Sequence, residues 1–294
     1  MIHTVDGKSR LFGILGHPTG HSLSPRIHNA AFAGKKINAV YVPFDIAETG
    51  AQLKKAILTL NIQGLSVTIP HKAWAAKAAD SCDDLTRCCG AANTLIRTEQ
   101  NGAAALHAIN TDGAGAVRAL KTAVPNLRGR RFLLIGYGGS ATAIAHSLLL
   151  DEQPAMIAVS GRNVRKRNSF VDGLRNQHAR SATMLRSVND SELNPGDVDI
   201  IIHTTPLGMQ GYSAERELPL DADFIQDFHT VFDIVYTPAS TPLLKTARSR
   251  GASIIQGYLM LLYQAVLQFE AFTGESAPEN LMEKELLTAL RSRT

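Results

Sequence analysis

Residues 132–150 join an apolar strand, a glycine-rich turn and an apolar helix, and this unit constrains the fold more than any other stretch. The run FLLI leads directly into GYGGSA at residues 136–141, and a helical pattern follows. Gly136 permits the tight turn, and Gly138 lets the backbone approach a pyrophosphate that faces the helix N-terminus. A G-x-G-x-x-A sequence is weakly specific alone, but this strand–turn–helix context predicts a dinucleotide-binding domain of the Rossmann type.

The end of the next strand bears on which dinucleotide is bound. NAD-binding folds usually place an acidic residue there, about 20 residues on, for the ribose hydroxyls. No acidic residue occurs between Glu152 and Asp172. Four basic residues stand in this stretch instead: Arg162, Arg165, Lys166 and Arg167. Because guanidinium groups form forked hydrogen bonds with phosphates, Arg162 is predicted to contact NADP, whereas Arg165 and Arg167 are interpreted as solvated.

The order of strand and helix patterns predicts two α/β domains with mainly parallel sheets. A chain of 294 residues, of which 45% are hydrophobic, is too long for one core of ordinary size. Residues 1–112 are predicted to form a substrate-binding catalytic domain that residues 251–294 complete. Residues 113–250 are predicted to form the NADP-binding Rossmann-type domain, and the C-terminal helices are expected to pack back on the first domain.

Several local elements follow from the patterns of the first domain. Strands are predicted at residues 11–16, 39–46 and 64–70, and helices from Pro25, at 49–60 and at 72–79. Two more strands are expected on either side of residues 100–102. Near the C-terminus, residues 257–274 predict a long apolar helix, and Ser276 with Glu279 suggests a capping box for a final amphipathic helix.

The charge, cysteine content and apolar runs of the chain limit the kinds of partner and location that can be expected. The net charge of +4 is spread along the chain with no nucleic-acid motif, so a small-molecule substrate is expected and nucleic acid is not. The three cysteines, Cys82, Cys88 and Cys89, fit neither a disulfide framework nor a metal site and are interpreted as reduced thiols. No apolar run reaches the ~18 residues of a membrane span. With a polar N-terminus, this predicts a cytoplasmic protein. A monomer or homodimer with no bound metal is expected.

Four polar clusters stand where elements of the first domain end. They are HSLSP at residues 21–25, Thr68 to Lys72, Asn93-Thr94 and Asn110 to Asp112. Each has an ordinary alternative: a serine or Asp112 could cap a helix, Asn93 could make a turn and Lys72 could be exposed. Together they supply hydroxyls, a carboxamide, an ammonium and a carboxylate, which suit a small polyhydroxylated anion. Open α/β sheets bind ligands at such strand ends.

These clusters and the glycine turn carry a resemblance to the shikimate dehydrogenase family. GHPTGHSLSPRIHNAAF resembles the family's GNPxxHSxSPxxHNxxF, and SVTIPHK, CGAANTL and NTDGAG resemble NVTxPxK, GAxNTL and NTDxxG. IGYGGSATA resembles GAGGAxxA, and HTTPLGM resembles NxTxxGM. DIVYTPASTPLL and GYLMLLYQAVLQF resemble DxxYxPxxTPLL and GxxMLxxQxxxxF. The eight motifs run in order over about residues 11–274.

The resemblance implies a reaction and a set of residues for it. The family reduces 3-dehydroshikimate reversibly to shikimate with NADPH, a step of the shikimate pathway to chorismate and the aromatic amino acids. Lys72 and Asp112 would be the catalytic acid–base pair. Substrate-binding residues would be Ser22, Ser24, Thr68, Lys72, Asn93, Asp112, Tyr236 and Gln264. Cofactor-binding residues would be Gly136, Gly138, Gly139, Ser140, Arg162, Lys166, Thr205, Gly208, Met209 and Gly257.

Departures from the motifs leave alternatives open. Ser66 and His17 replace asparagines, Tyr137 stands where alanine is usual, and Gly161-Arg162-Asn163 stands for Asn-Arg-Thr. The family also contains quinate/shikimate dehydrogenases and aminoshikimate enzymes that use NAD or NADP. A metabolite-sensing protein without turnover is the alternative from another class. Such a sensor would be expected to lack Lys72 or Asp112 and to carry a DNA-binding segment.

Overall fold

Two units of the chain each build a sheet of six strands. Residues 5–189 and 192–292 are described by a computed structural model. The first unit runs to residue 111 and resumes at 264, and the second comprises residues 112–263. Two helices, α5 (Thr111–Lys121) and α9 (Tyr258–Thr273), contain the residues at which the division falls.

The first sheet has the strand order β2-β1-β3-β5-β6-β4. Its strands are β1 (Arg10–Gly16), β2 (Ala39–Asp45), β3 (Ile62–Val67), β4 (Ser81–Cys82), β5 (Thr94–Gln100) and β6 (Ala103–Ile109). Strand β5 runs antiparallel to β3 and β6, and the other neighbouring pairs are parallel. The helices are α1 (Ser24–Gly34), α2 (Ala51–Thr59), α3 (Lys72–Ala78), α4 (Asp84–Cys89) and α10 (Glu279–Arg291). The predicted strand at residues 64–70 therefore starts earlier and stops before Thr68.

The C-terminal helices complete the core of the first unit. Phe272 lies on α9, and its ring centroid is 5.3 Å from that of Phe12. The same ring packs against Gly64, where a β-carbon would have no room. On α10, Glu285 accepts a hydrogen bond of 3.1 Å from Arg26 of α1. The expectation that these helices pack back on the first domain is confirmed.

The capping box suggested for the last helix is wrong. Helix α10 begins at Glu279 with Pro278 as its N-cap, and no side chain caps it. Ser276 lies upstream of this N-cap. Its hydroxyl oxygen accepts a bond of 3.4 Å from Lys35 Nζ. Proline disfavours helical backbone angles at the residue before it, Ala277, so the helix begins later than the Ser-x-x-Glu spacing suggested.

The second sheet is wholly parallel, with the order β12-β11-β10-β7-β8-β9. Its strands are β7 (Arg131–Ile135), β8 (Met156–Ser160), β9 (Leu185–Ser187), β10 (Ile200–His203), β11 (Thr230–Asp233) and β12 (Ser253–Gln256). Helices α6 (Gly139–Ser147), α7 (Val164–Gln177) and α8 (Pro242–Ser249) connect them. This doubly wound arrangement confirms the predicted fold class. The expected boundary at residue 250 differs, because β12 pairs with β11 inside this sheet.

Within the part of the chain that the structure describes, no helix combines the length and the apolar character needed to cross a lipid bilayer.

Candidate active site

One edge of the first sheet gathers the polar clusters that follow or precede its strands. Strands β1 and β3 are parallel, so the loop with Ser22 and the residue Thr68 leave the sheet at the same edge. Because β5 is antiparallel to β3 and β6, its start and the end of β6 lie at that edge too. Asn93 and Thr111 are therefore neighbours although 18 residues separate them. Strand direction explains why four separate motifs meet.

Asn93 is held by hydrogen bonds at both ends of its side-chain amide. Its side chain is buried, and Oδ1 accepts the backbone N–H of Thr111 at 2.8 Å and the hydroxyl of Thr94 at 2.9 Å. Its Nδ2 donates to Thr111 Oγ1 at 2.9 Å and to Gln264 Oε1 at 3.3 Å. A backbone N–H can only donate, so the amide orientation is determined. The alternative of a simple turn residue does not fit this network.

Two residues of this network, Gln268 and Ser66, were not predicted as site residues. Gln268 Nε2 donates to the carbonyl oxygen of Asn93 and to Thr94 Oγ1, both at 3.0 Å. Its Oε1 accepts the hydroxyl of Ser66 at 2.7 Å. Gln268 follows Gln264 by one helical turn of α9, and this spacing is the signal that could have identified it.

Lys72 is the first residue of α3 and is half-buried. Its carbonyl oxygen accepts the N–H of Ala92 at 2.9 Å, which joins the helix start to the segment that carries Asn93. The preceding His71 is buried and bonds through Nε2 to the carbonyl oxygen of Ile46 at 2.5 Å. A cation at a helix N-terminus opposes the helix dipole, so helix stability alone does not favour lysine here.

The serines of the first cluster do not cap α1. The helix begins at Ser24, its N-cap is Leu23, and no side-chain capping bond forms. Ser22 Oγ instead accepts the N–H of Ser24 at 3.2 Å, and Ser24 itself is buried. The capping alternative considered for Ser24 is therefore wrong. Thr68 and Ser22 are partly exposed at the same sheet edge, as a ligand contact requires.

One helical turn after Ser24, His28 is completely buried in the core. Its ring stacks on Tyr41 with centroids 4.5 Å apart and planes at 9°. Among the described residues neither ring nitrogen has a hydrogen-bond partner. Burial lowers the pKa of His28 to about 3, so the ring is neutral near pH 7.

Asp112 and Tyr236 belong to the second unit. Asp112 lies in the first turn of α5, directly after Thr111, so the helix that it was considered to cap begins one residue earlier. Tyr236 follows β11 and is partly buried. Their substrate-binding roles stay predictions.

The glycine turn lies between β7 and α6, as predicted. Gly136 has φ of 116°, and a β-carbon there would lie 2.4 Å from Thr204 Oγ1, so only glycine fits. At Gly138 and Gly139 a β-carbon would meet nothing within 4 Å. Gly138 is the N-cap of α6 and provides no side-chain bond to the first amides of the helix. This open cradle at a helix N-terminus suits a pyrophosphate.

A cavity of about 450 Å³ opens beside this turn. Gly136, Gly138, Arg162 and Thr205 line it, and of the described residues that border it none is acidic. Ser160 occupies the end of β8, where NAD-binding folds usually place a carboxylate. The described residues that border the cavity are therefore either basic or uncharged, and they fit a dinucleotide with a 2′-phosphate. Lys166, predicted with Arg162, lies in the first turn of α7, where its N–H donates to Asn163 Oδ1.

Arg167 is not solvated, which corrects its interpretation. Only 4% of the residue is exposed. Its guanidinium donates to Ser187 Oγ at 2.8 Å, to Asn189 Oδ1 at 3.1 Å and to the carbonyl oxygen of Gly161 at 3.3 Å. The charge run looked uniform in sequence, but α7 turns this member toward β9. Arg165, in contrast, is exposed as expected.

His203 was missed as a residue that supports the cavity. It is buried, with Nδ1 2.9 Å from Asp233 Oδ1 and Nε2 2.5 Å from Thr205 Oγ1. The carboxylate accepts from Nδ1, and Nε2 shares a hydrogen bond with the Thr205 hydroxyl. Thr241 Oγ1 donates to the other oxygen of Asp233 at 2.6 Å. The hydroxyl of Thr205 is thereby joined to Asp233 through the His203 ring.

Three further predicted cofactor residues follow β10 or β12. Gly208 has φ of 77°, and the next residue, Met209, is 39% exposed, unusual for a large apolar side chain. Gly257 is buried, and a β-carbon there would lie 2.5 Å from the carbonyl oxygens of Ile234 and Val235. Gly257 therefore has a packing reason for being glycine, and its cofactor role stays a prediction, as does that of Ser140.

Comparisons with known proteins decide the family. The family models described as the shikimate dehydrogenase substrate binding domain and the shikimate 5′-dehydrogenase C-terminal domain match residues 14–95 and 257–287. The NADP(+) shikimate dehydrogenase of Leptospira interrogans is 39% identical over 289 residues, 97% of each chain. This chain belongs to the shikimate dehydrogenase family. The resemblance carried by the sequence motifs is confirmed.

Solved structures agree with the shikimate dehydrogenase fold. A crystal structure of shikimate dehydrogenase in complex with NADP+ has a TM-score of 0.88 at 31% identity, covering 98% of both chains. The Listeria monocytogenes shikimate 5-dehydrogenase, in complex with shikimate and NAD, has a TM-score of 0.86 at 27% identity. That alignment covers 97% of this chain and 99% of the other.

We expect His28 to make the stability of this shikimate dehydrogenase family member depend on pH. Its pKa is about 3 in the folded chain and near 6.5 as an unperturbed group. As pH falls below 6.5, the unfolded chain takes up a proton that the folded chain excludes. The free energy of unfolding should therefore fall by about 3 kcal/mol between pH 7 and pH 4 through this residue. Urea unfolding at several pH values measures the slope.

His28→Gln is the informative variant, because it removes the titrating ring, and its unfolding should show a shallower pH dependence than that of the unchanged chain. His21→Gln is the matched control, since His21 is exposed and lies on the same segment. An unaltered slope in His28→Gln would contradict the assignment.

Proposed function

We propose that this protein is an NADP-dependent shikimate dehydrogenase, which reversibly reduces 3-dehydroshikimate to shikimate. The observation that carries the proposal is the convergence of Ser22, Thr68, Lys72 and Asn93 at one edge of the first sheet. Hydroxyls, an ammonium and a carboxamide there match a carboxylate, ring hydroxyls and a carbonyl oxygen that gains a proton. None of the described residues that line the cavity beside the glycine turn is acidic, which supports NADP as the dinucleotide.

The substrate would be held mainly by neutral donors. Ser22 and Ser24 would bind its carboxylate, with Tyr236 as a third hydroxyl. Thr68, Asn93, Asp112 and Gln264 would bind the ring hydroxyls. The hydrogen bond from Asn93 Nδ2 to Gln264 Oε1 is long at 3.3 Å, compared with 2.9 Å from Nδ2 to Thr111 Oγ1. It is the contact that a substrate hydroxyl could replace at least cost.

Lys72 would donate the proton that the reduction requires. NADPH, when bound, supplies the hydride that reaches the carbonyl carbon. The carbonyl oxygen gains negative charge as this happens, and the Lys72 ammonium donates a proton to it. An ammonium needs no special environment to act as an acid at pH 7, whereas acting as a base requires a lowered pKa. Asp112 would accept a hydrogen bond from the hydroxyl that forms.

The cofactor would lie along the glycine turn. The amides at Gly138 and Gly139 would bind the pyrophosphate and Arg162 the 2′-phosphate, with Lys166 as a second candidate cation. Thr205, Gly208, Met209 and Gly257 would line the nicotinamide side. A cytoplasmic location and a monomeric or homodimeric state remain predictions.

A four-way assay tests the reaction. Purified protein is offered shikimate or quinate, each with NADP+ or NAD+, and the absorbance of the reduced nicotinamide is followed. Reduction with shikimate and NADP+ above the other three combinations is the expected result. Preference for quinate would favour the quinate/shikimate alternative, and no reduction in any combination would favour the metabolite sensor.

We expect Lys72→Ala to lower kcat by a factor of roughly 10² or more with little change in the KM for shikimate, because proton transfer rather than binding is lost. Steady-state kinetics with NADP+ measure both constants. Lys77→Ala removes an exposed ammonium from the same helix and is the matched control. Turnover that survives Lys72→Ala would refute the catalytic assignment.

Arg162→Ala should raise the KM for NADP+ roughly tenfold or more, as loss of a charge-assisted bond costs about 1.5–3 kcal/mol. The KM for NAD+ should stay within twofold, because that dinucleotide lacks the 2′-phosphate. Arg165→Ala is the control on the same basic stretch, and it should leave both values near those of the unchanged enzyme. An equal rise for both dinucleotides in Arg162→Ala would argue against phosphate recognition by this residue.

A further inference from the structure

We infer that Tyr137 is a specificity-determining residue for the 2′-phosphate of the dinucleotide, acting through the position of Arg162. The inference rests on the proposed function, since it concerns the same cofactor cavity. It arises from two departures of this chain from the family motifs: a tyrosine inside the glycine turn and a glycine at position 161.

The two departures fit each other sterically. A β-carbon at Gly161 would lie 2.6 Å from Cε1 of Tyr137, so the ring occupies the space that a side chain at 161 would need. Gly161 also has φ of 155°, a backbone angle that other residues rarely adopt. The large ring in the glycine turn therefore requires a residue without a side chain at the end of β8.

The tyrosine also contacts the backbone that carries Arg162. The N–H of Asn163 donates to the Tyr137 hydroxyl at 3.2 Å. Asn163 is the N-cap of α7, where its Oδ1 accepts the N–H of Lys166 at 3.0 Å. Asn163 is therefore held on one side by the glycine turn and on the other by α7, and Arg162 directly precedes it.

Of the two arginines that line the cavity, Arg162 is the one available to bind an anion. It lines the cavity, and among residues 5–189 and 192–292 it has no hydrogen bond or ion pair. Arg167 also borders the cavity, but its guanidinium already makes three hydrogen bonds within the protein. An arginine of this kind on a restrained backbone presents a preorganised fork to a phosphate.

Tyr137 further separates the basic residues into two groups. It borders the dinucleotide cavity that Arg162 lines, and it also borders a shallow depression lined by Arg165 and Lys166. The ring is thus part of the wall of both. Arg162 lines the dinucleotide cavity itself, whereas Lys166 lines the neighbouring depression.

The consequence is a selective effect of the tyrosine hydroxyl. Without it, the segment from Gly161 to Asn163 loses one hydrogen bond to the glycine turn, and Arg162 loses preorganisation. Only a dinucleotide with a 2′-phosphate uses Arg162, so the ratio of NADP+ to NAD+ affinity falls while the cradle at Gly138 and Gly139 is unchanged.

Isothermal titration calorimetry of Tyr137→Phe tests the inference without relying on turnover. The Kd for NADP+ and for adenosine 2′,5′-bisphosphate should each rise roughly threefold to tenfold, the range for one neutral hydrogen bond. The Kd for NAD+ should change less than twofold. Tyr212→Phe, which removes a hydroxyl from the same cavity, is the matched control and should leave all three values unchanged. Thermal unfolding shows that each variant is folded.

The inference is overturned if Tyr137→Phe raises the Kd for NADP+ and the Kd for NAD+ equally, or if it changes neither Kd. Failure of the proposed function is a separate result, since then the unchanged protein itself would bind neither NADP+ nor adenosine 2′,5′-bisphosphate. Tyr137→Ala adds a second check. It removes wall and hydroxyl together, and its selective loss of NADP+ affinity should be at least as large as that of Tyr137→Phe.

Discussion

The buried carboxamide of Asn93 is the interaction on which the first unit depends. Its oxygen accepts from the start of α5 and its nitrogen donates toward α9, so one side chain joins β5 to two helices that arrive from distant parts of the chain. Leaving such a buried group without partners costs about 1–3 kcal/mol for each atom. Gln268 adds a second layer by binding the carbonyl oxygen of Asn93. The backbone of the proposed catalytic lysine is held to the same segment, because its carbonyl oxygen accepts the N–H of Ala92, the residue before Asn93.

The dinucleotide cavity is organised differently, by glycines that leave space at the turn and by a buried pair of ionisable groups, His203 and Asp233. Gly136 lets the turn pass close to Thr204, and the next glycines leave the helix N-terminus open. Behind the cavity, Asp233 and His203 orient the hydroxyl of Thr205. The open glycine turn offers backbone amides, as a pyrophosphate requires, whereas the Thr205 side of the cavity offers a hydroxyl held by side chains.

Much of this could be predicted from the sequence. The glycine turn, the strand at residues 11–16 and the helix at 72–79 depend on local patterns, so periodicity and turn chemistry identified them. Predictions failed where a long-range contact outweighs the local pattern. Arg167 looked like its exposed neighbour Arg165, but only the packing of α7 against β9 shows which of them is buried. The capping box failed because Pro278 disfavours helical angles at Ala277, which the box would place in the first turn.

The sequence by itself determined the two α/β units, the type of dinucleotide turn and the residue types available for chemistry, because each depends on neighbours within about a dozen positions. Only the tertiary structure decided how these residues are supported. The antiparallel course of β5 brings Asn93 to Thr111, and the ring of Tyr137 explains the glycine at 161. Such relations join residues that are far apart in sequence, and no local pattern encodes a distance between them.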